Sequence, residues 1–283
     1  MTYRDKYLAL LKITNPYINN TVVKTLLMDD GDFVDFTTLL IHFHDDLKDE
    51  KKIDDNLKRI MDGEPMQYVL GYAYFVNSNY IVSPDVLIPR QETEQLAVAT
   101  MVNITKSFKD TNGITIVDVG TGSGILAIYL KEYFPEAHVI ATDISEKALQ
   151  IATKNAEKHG VSIDFRLGNM LDPVNEKIDV LISNPPYIGD KKTVSEQTLK
   201  YEPSLALFAS PSTKYYREIL SHIDMMKDDS FLAFEIGEDM KRELTDLLED
   251  EFQGIGYSFD QDIYGKTRFL YIYIKKEFKK YDA

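Results

Sequence analysis

The tetrapeptide Asn184-Pro185-Pro186-Tyr187 combines residue types that can hold and orient a flat amino group. It follows a short apolar run, residues 178–182, which predicts a buried parallel strand. Two consecutive prolines cannot continue a strand, and each holds the residue before it in an extended conformation. We therefore predict a stiff hook that offers the Asn184 side-chain oxygen and the Pro185 carbonyl as acceptors, with the Tyr187 ring as a flat surface. Such a hook is a socket for a planar NH2 group.

A glycine-rich segment lies about sixty residues before the hook. The segment Gly120-Thr121-Gly122-Ser123-Gly124 follows an apolar run that contains Asp118 and precedes a helical pattern. Glycines at a strand-to-helix turn let the backbone approach a ligand closely. The spacing Gly-x-Gly-x-Gly differs from the Gly-x-Gly-x-x-Gly that is typical of dinucleotide enzymes.

Further polar residues are predicted at the ends of the neighbouring strands. Asp143 ends the next strand about twenty residues after the glycines, the distance that suits a carboxylate gripping ribose hydroxyls. Asn169 and Met170 follow the third strand, where Asn169 can hydrogen-bond an adenine edge and Met170 can pack on its face or simply fill the core. Asp118 is expected to bind a methionine amino group or to brace the loop.

Each of these signals also has an ordinary structural explanation. Asn-Pro and Pro-Pro are common in turns, and glycine is common in any tight strand–helix connection. Their combination is more specific, because a nucleoside site beside a nitrogen socket suits S-adenosylmethionine and does not suit a nicotinamide. The sequence therefore predicts methyl transfer to an amide-type or aminopurine-type nitrogen, with Asn184 near both the cofactor and the substrate.

The periodicity of apolar residues predicts the elements that position these side chains. Residues 1–64 show four helical stripes and form a small N-terminal helical domain, and residues 65–88 are predicted as a β-hairpin linker with a turn at 77–79. Residues 89–283 alternate strands and helices, which predicts an α/β fold with a doubly wound, mostly parallel sheet. Strands are expected at 114–119, 137–142, 162–167, 178–183, 230–235, 255–260 and 268–275. Helices are expected near 92–105, 123–134, 145–159, 214–227 and 237–251.

Composition narrows the functional class. The 283 residues include no cysteine, which excludes disulfides and thiolate metal sites, and the five histidines form no ligand pattern, so no metal is expected. No apolar run is long enough for a membrane span, and a cytoplasmic monomer is expected. The net charge of −14 disfavours nucleic-acid binding and suits a protein partner with a basic surface.

The motifs resemble those of a known family. The segment 118–124 with the hook is similar to class I methyltransferases of planar NH2 groups. The segments 63–75, Ile88-Pro-Arg-Gln-Glu-Thr-Glu94, Tyr201-Glu-Pro203, Glu235-Ile-Gly237 and 262–268 resemble the peptide chain release factor glutamine methyltransferases (PrmC/HemK). The chain departs from that pattern at Gln91, usually proline, and at 208–213, usually glycine-rich. The resemblance covers residues 1 to about 275.

The resemblance implies a Rossmann-like class I methyltransferase domain that uses S-adenosylmethionine. The implied reaction is N5-methylation of the glutamine in the Gly-Gly-Gln motif of class 1 release factors. We further predict that the helical domain, residues 1–64, docks that partner. Catalysis would fall to Asn184, Pro185 and Tyr187, and substrate binding to these and Pro186. Two other enzymes remain open, a ribosomal-protein glutamine methyltransferase and a nucleic-acid amino-methyltransferase. A silent cofactor-binding adaptor is the alternative from another class.

Overall fold

The computed structural model describes residues 1–275, which form two compact units. The first unit comprises Met1–Tyr72 together with Glu196–Tyr201, and the second comprises Ala73–Ser195 and the described residues from Glu202 onward. The last eight residues of the predicted 89–283 domain lie outside the described range. No helix within residues 1–275 is long and apolar enough to cross a membrane.

The first unit is built from helices α1 (Tyr3–Leu10), α2 (Asn20–Gly31), α3 (Phe36–Ile41), α4 (Glu50–Met61) and α5 (Met66–Leu70). Each of the first four begins at a polar side chain that accepts a backbone N–H of the first turn: Thr2, Asn19, Asp35 and Asp49. Their apolar stripes meet in one core that includes Tyr3, Leu27, Leu39 and Ile60. The chain returns to this unit at α9 (Glu196–Tyr201), whose Gln197 donates to the Gly63 carbonyl at 3.0 Å.

The predicted hairpin is shorter than expected. Residues 66–70 form helix α5, although their aromatic and branched residues had suggested a strand, because Tyr68 and Val69 are buried on one helical face and Gly71 ends the helix at φ 81°. The hairpin consists of β1 (Tyr72–Phe75) and β2 (Ser78–Ile81). Its turn lies at Val76 and Asn77, so the prediction of a turn over 77–79 was wrong by one or two residues.

The second unit contains a seven-stranded sheet with the order β5-β4-β3-β6-β7-β9-β8. Its strands are β3 (Thr115–Val119), β4 (His138–Asp143), β5 (Asp164–Leu167), β6 (Ile178–Ser183), β7 (Met226–Glu235), β8 (Gly256–Gln261) and β9 (Thr267–Ile274). The first five run parallel, and β9 is antiparallel to both β7 and β8. The predicted mostly parallel sheet is confirmed.

Helices cover both faces of the sheet. They are α6 (Gln91–Ser107), α7 (Ile125–Tyr133), α8 (Glu146–His159), α10 (Lys214–Leu220) and α11 (Lys241–Glu251). Helices α6, α7 and α8 pack on one face, and α10 and α11 on the other. Alternate residues of β3 enter opposite cores, with Ile116 on the first face and Val117 on the second, as the two-residue period of a strand requires.

The helix predicted over 214–227 was wrong in its second half. Helix α10 ends at Leu220, a short 3-10 turn covers Ile223–Met225, and strand β7 already begins at Met226. Met226 pairs with Ile178 of β6, so the chain must be extended at this point to join the sheet. The register of β6 and β7 shifts just after this pair.

Candidate active site

The hook lies at the carboxyl end of β6, one of the central strands of the sheet. Strand β6 is buried along its whole length and pairs with β3 on one side and β7 on the other. Ser183 donates its hydroxyl to the Val119 carbonyl at 2.6 Å, which ties the start of the hook to the end of β3. Because parallel strands end on the same edge, the hook and the glycine loop are brought side by side.

A cleft opens at this edge of the sheet, within the second unit. Its walls come from residues in the segments 85–93, 120–126, 143–148, 169–170, 184–186 and 203–215. Of the hook, Asn184 and Pro186 line the cleft, whereas Pro185 is buried and Tyr187 packs against the core on the α10–α11 face. Burial raises the pKa of the Tyr187 phenol above its ordinary value, so this ring stays neutral near pH 7.

The Asn184 amide has a defined orientation. Its Nδ2 donates to the Thr93 hydroxyl at 3.1 Å, and Thr93 in turn donates to Oε2 of Glu235 at 2.7 Å. Within the described chain, neither Oδ1 of Asn184 nor the Pro185 carbonyl accepts a hydrogen bond. No described residue therefore bonds to either oxygen of the predicted socket, and of the two residues Asn184 lines the cleft whereas Pro185 is buried.

The glycine loop is shaped by backbone conformation and by the end of β4. Gly120, Gly122 and Gly124 all have positive φ, and the Gly120 and Thr121 amides both donate to the Thr142 carbonyl at 2.9 Å. Gly124 immediately precedes α7, and a Cβ atom at this position would lie 3.0 Å from the Ala152 side chain. A side chain is excluded there both by conformation and by the close approach of α8.

Asp118 is fully buried beneath this loop. Its Oδ2 accepts the Thr121 hydroxyl at 2.6 Å and the Ala127 amide at 3.2 Å, so the carboxyl braces the loop. Its Oδ1 is also buried but has no hydrogen-bond partner among residues 1–275. Burial raises the pKa of Asp118 to about 7. A half-satisfied buried carboxyl of this kind can accept a cationic or donating ligand group.

Asp143 lines the cleft at the end of β4. Its two oxygens accept the Gly122 and Ser145 amides at 2.9 and 2.8 Å. Burial raises the pKa of this carboxyl as well. Each carboxylate oxygen has a second lone pair, so both can still bind hydroxyl groups in the cleft.

Asn169 and Met170 form the cleft wall after β5. Asn169 donates its side-chain NH2 to Glu218, which leaves its side-chain oxygen as an acceptor. Met170 has a left-handed backbone, φ 43°, and its carbonyl accepts the Thr142 hydroxyl at 2.8 Å. A non-glycine residue held at positive φ is uncommon and typical of sites that the surrounding structure enforces.

The sequence alone did not reveal the roles of some residues of the site. Thr93 and Glu235 belong to motifs of the family resemblance, but nothing in their spacing indicated that they hold Asn184. Glu202 also belongs to such a motif and had no role assigned to it. Its carboxylate accepts hydrogen bonds from the Arg90 guanidinium at 2.6 Å and from the Ile88 amide at 3.3 Å, and so fixes the loop before α6. The acidic residues in these motifs were the signal that could have revealed such roles, because a carboxylate requires hydrogen-bond partners once it is buried.

Comparison with known proteins identifies the family. Residues 95–201 match the family described as MTS, the methyltransferase small domain. A release factor glutamine methyltransferase of Staphylococcus aureus is 39% identical over 243 residues, which cover 83% of this chain and 85% of that relative. One from Enterococcus faecalis is 38% identical over 241 residues, with the same two coverages. The chain belongs to the release factor glutamine methyltransferase family. The resemblance seen in its motifs is thereby confirmed.

A solved structure agrees with this methyltransferase at the level of the fold. The crystal structure of a methyltransferase from Pyrococcus furiosus superposes with a TM-score of 0.51 and 17% identity, covering 78% of this chain and 98% of that one. At that identity the likeness shows the fold alone. It confirms the predicted Rossmann-like class I methyltransferase architecture.

Proposed function

We propose that the chain methylates the side-chain amide nitrogen of the glutamine in the Gly-Gly-Gln motif of class 1 peptide chain release factors, with S-adenosylmethionine as methyl donor. The observation that carries the proposal is the Asn184 amide in the cleft wall, whose oxygen, like the neighbouring Pro185 carbonyl, has no hydrogen-bond partner among residues 1–275. A primary amide offers two N–H groups to match them. Such a substrate takes part in translation, so the proposal places the enzyme in the cytoplasm.

The residues of the cleft suit S-adenosylmethionine. Asp118 lies beneath the glycine loop that lines the cleft, and its unpartnered Oδ1 would accept the ammonium group, whereas Asp143 in the cleft wall has the free lone pairs that ribose hydroxyls need. The Asn169 oxygen is placed to accept an exocyclic amino group, with Met170 beside it. Gly120 and Gly122 let the ligand approach the backbone. When bound, S-adenosylmethionine supplies a methyl group on an electrophilic sulfonium.

The hook prepares the substrate nitrogen. A carboxamide nitrogen is a poor nucleophile because its lone pair is delocalised over the carbonyl. Acceptance of its two hydrogens by Asn184 Oδ1 and the Pro185 carbonyl orients the nitrogen and stabilises the positive charge that it gains in the transition state. Both oxygens are on rigid elements, since one follows a buried strand and the other is the carbonyl of a proline that is itself followed by proline.

No side chain near the hook needs to act as a general base. The nitrogen becomes strongly acidic once it is alkylated, so its proton can leave after the methyl group has been transferred. The neutral phenol of Tyr187 cannot take that proton near pH 7.

We also propose that the helical unit, residues 1–72 with 196–201, docks the release factor. This unit carries exposed acidic side chains, among them Asp46 and Asp55, which are 87% and 62% exposed. An acidic surface attracts a basic partner and makes docking salt-sensitive. Deletion of residues 1–66 is not a clean test of this docking role. Helix α9 belongs to the same unit, and the deletion would remove the residues against which it packs.

The deciding experiment is mass spectrometry of a release factor after incubation with the enzyme and S-adenosylmethionine. The expected result is a gain of one methyl group, about 14 Da, on the Gly-Gly-Gln glutamine, and no gain when that glutamine is replaced by alanine. The Asn184→Ala variant serves as the matched enzyme control. Modification of a ribosomal protein or of a nucleic-acid amino group, with none on the release factor, would contradict the proposal.

A further inference from the structure

A line of three buried or half-buried polar side chains ends at the hook. Asn184 Nδ2 donates to Thr93 Oγ1 at 3.1 Å, and Thr93 Oγ1 donates to Glu235 Oε2 at 2.7 Å. Thr93 and Glu235 are 3% and 2% exposed. The three residues come from the end of β6, the first turn of α6 and the end of β7, so the line connects three different secondary-structure elements.

The direction of these hydrogen bonds follows from the number of available protons. An ionised carboxylate only accepts, so the single hydroxyl proton of Thr93 must point to Glu235. The Thr93 oxygen can then only accept, and the one group of Asn184 that donates is its NH2. The Asn184 oxygen is consequently turned toward the cleft, where a substrate amide needs an acceptor.

We propose that Thr93 and Glu235 are positioning residues, which fix the Asn184 amide with its oxygen toward the substrate nitrogen when Glu235 is ionised. This inference rests on the proposed function, since it assigns the acceptor role to that oxygen. Protonation makes Glu235 a donor to Thr93. The Thr93 proton is then released to bond the Asn184 oxygen, and the amide can rotate so that its NH2 group faces the substrate. A donor at that place repels the substrate N–H groups.

The surroundings of Glu235 place this change near neutral pH. Burial raises the pKa of Glu235 to about 7, and the Thr93 hydrogen bond opposes that rise. The charged or titratable groups that face this carboxyl are Glu92, Arg90, Arg268, Tyr187 and Tyr216. Glu92 raises the pKa further, and the two arginines lower it. Burial raises the pKa of both phenols, so they remain neutral in this range.

Glu235 also has a structural connection, which the test must separate from positioning. Its backbone carbonyl accepts the Tyr216 hydroxyl at 2.7 Å, and its side chain joins α6 to β7 through Thr93. A purely structural role would change stability and cofactor binding together with activity. A positioning role changes the rate of methyl transfer and its pH dependence, and leaves the affinity for S-adenosylmethionine in place.

The test compares Thr93→Val, which keeps the shape but removes the hydroxyl, with Thr93→Ser, which keeps the hydroxyl, and with Glu235→Gln. We measure kcat on a Gly-Gly-Gln peptide between about pH 5.5 and pH 9, with saturating S-adenosylmethionine so that its binding does not limit the rate. For the wild type and Thr93→Ser, kcat should rise with pH around a midpoint near 7. For Thr93→Val, kcat should fall about 10- to 100-fold and lose that midpoint, and Glu235→Gln, which cannot titrate but can still accept the Thr93 hydroxyl through its oxygen, should lose the midpoint.

A second measurement does not depend on activity. The side-chain NH2 signals of Asn184 in 15N NMR, assigned by their absence in Asn184→Ala, should shift with a midpoint near pH 7 in the wild type and not in Glu235→Gln. Positioning is overturned if Thr93→Val keeps the wild-type kcat and pH profile, or if its loss of activity is matched by a loss of cofactor affinity. A wild-type enzyme that is inactive on the glutamine at every pH overturns the proposed function instead. In that case the NMR titration still tests whether protonation of Glu235 changes the environment of Asn184.

Discussion

Replacement of Asp118 by asparagine should have opposite effects on stability and on cofactor binding. Asp118 is fully buried, and its Oδ1 has no partner in the described chain, while Oδ2 holds the Thr121 hydroxyl and the Ala127 amide. An asparagine whose oxygen takes the place of Oδ2 keeps both of these bonds. Its NH2 group then occupies the unpartnered position. The change therefore removes the charge and adds one unpartnered donor.

The expected stability change follows from the pKa of Asp118. Between 3.8 and about 7, the folded protein retains a proton that the unfolded chain releases, so the free energy of unfolding falls as the pH rises through this window. The full loss is at most about 4 kcal/mol. Asp118→Asn avoids that loss but buries an unpartnered NH2 group, which costs about 1–3 kcal/mol. We expect the variant to be more stable than the wild type by roughly 1–3 kcal/mol at about pH 8, and no more stable at about pH 5.

The expected change in cofactor binding has the other sign. If Oδ1 accepts the ammonium group of S-adenosylmethionine, the variant loses a charge-assisted hydrogen bond and presents a donor in its place. The loss of about 1.5–3 kcal/mol corresponds to an increase of roughly 10- to 150-fold in Kd. Urea unfolding at the two pH values and calorimetric titration with S-adenosylmethionine measure the two effects independently.

Asp179 provides a matched control, because it is also buried but forms an ion pair through its Oδ2. It accepts the Thr115 amide at 2.7 Å and the Lys227 ammonium at 2.6 Å. Asp179→Asn breaks that ion pair and should destabilise the protein at about pH 8, with no effect on cofactor affinity. The reasoning about Asp118 is refuted if its asparagine variant is destabilised equally at both pH values, or if it binds S-adenosylmethionine as the wild type does.

Three further predictions concern the hook, the ribose acid and the helical unit. Asn184→Ala should bind S-adenosylmethionine normally but lose about 10²- to 10³-fold in single-turnover rate, and a near-wild-type rate would remove the acceptor role. Asp143→Ala should weaken cofactor binding by about 1.5–3 kcal/mol for each lost hydroxyl bond, and unchanged affinity in calorimetry would mean that the acid only supports the loop. Asp55→Asn should raise KM for an intact release factor at low salt but not for a Gly-Gly-Gln peptide. Asp246 in the second unit is equally exposed and is likewise paired with a residue four positions away in its helix. Asp246→Asn should change neither KM value, and equal effects of the two variants would argue against docking by the helical unit.

The strands of the sheet were predictable because burial on both faces leaves a direct mark in the sequence. Strand β6 was predicted at 178–183 and is found there, since every residue of it is buried and the apolar run ends where the prolines begin. Helix α10 was predicted too long, because Ile223, Met225 and Met226 continue a helical apolar pattern. Pairing of Met226 with Ile178 overrides that pattern, and such a tertiary contact has no local signal.

The helix α5 shows the same limit for local propensity. Tyr68 and Val69 are β-formers, yet they lie in a helix that begins after Pro65 and ends at Gly71. Both side chains are buried, and Val69 packs in the core of the first unit, so burial decides the conformation. The sequence did contain the stop signal, because glycine at positive φ is a common helix terminus, but the aromatic residues nearby outweighed it.

The residues that complete the site could not be predicted because they are remote in the chain. Thr93 lies 91 positions before its partner Asn184 and 142 positions before its partner Glu235. Only the strand order, which places β7 beside β6, and the packing of α6 on that part of the sheet bring the three together. A local motif such as the hook specifies which atoms can accept a hydrogen. Which way its amide faces depends on a carboxyl from another strand, so the chemistry of the motif becomes determined only when the sheet is assembled.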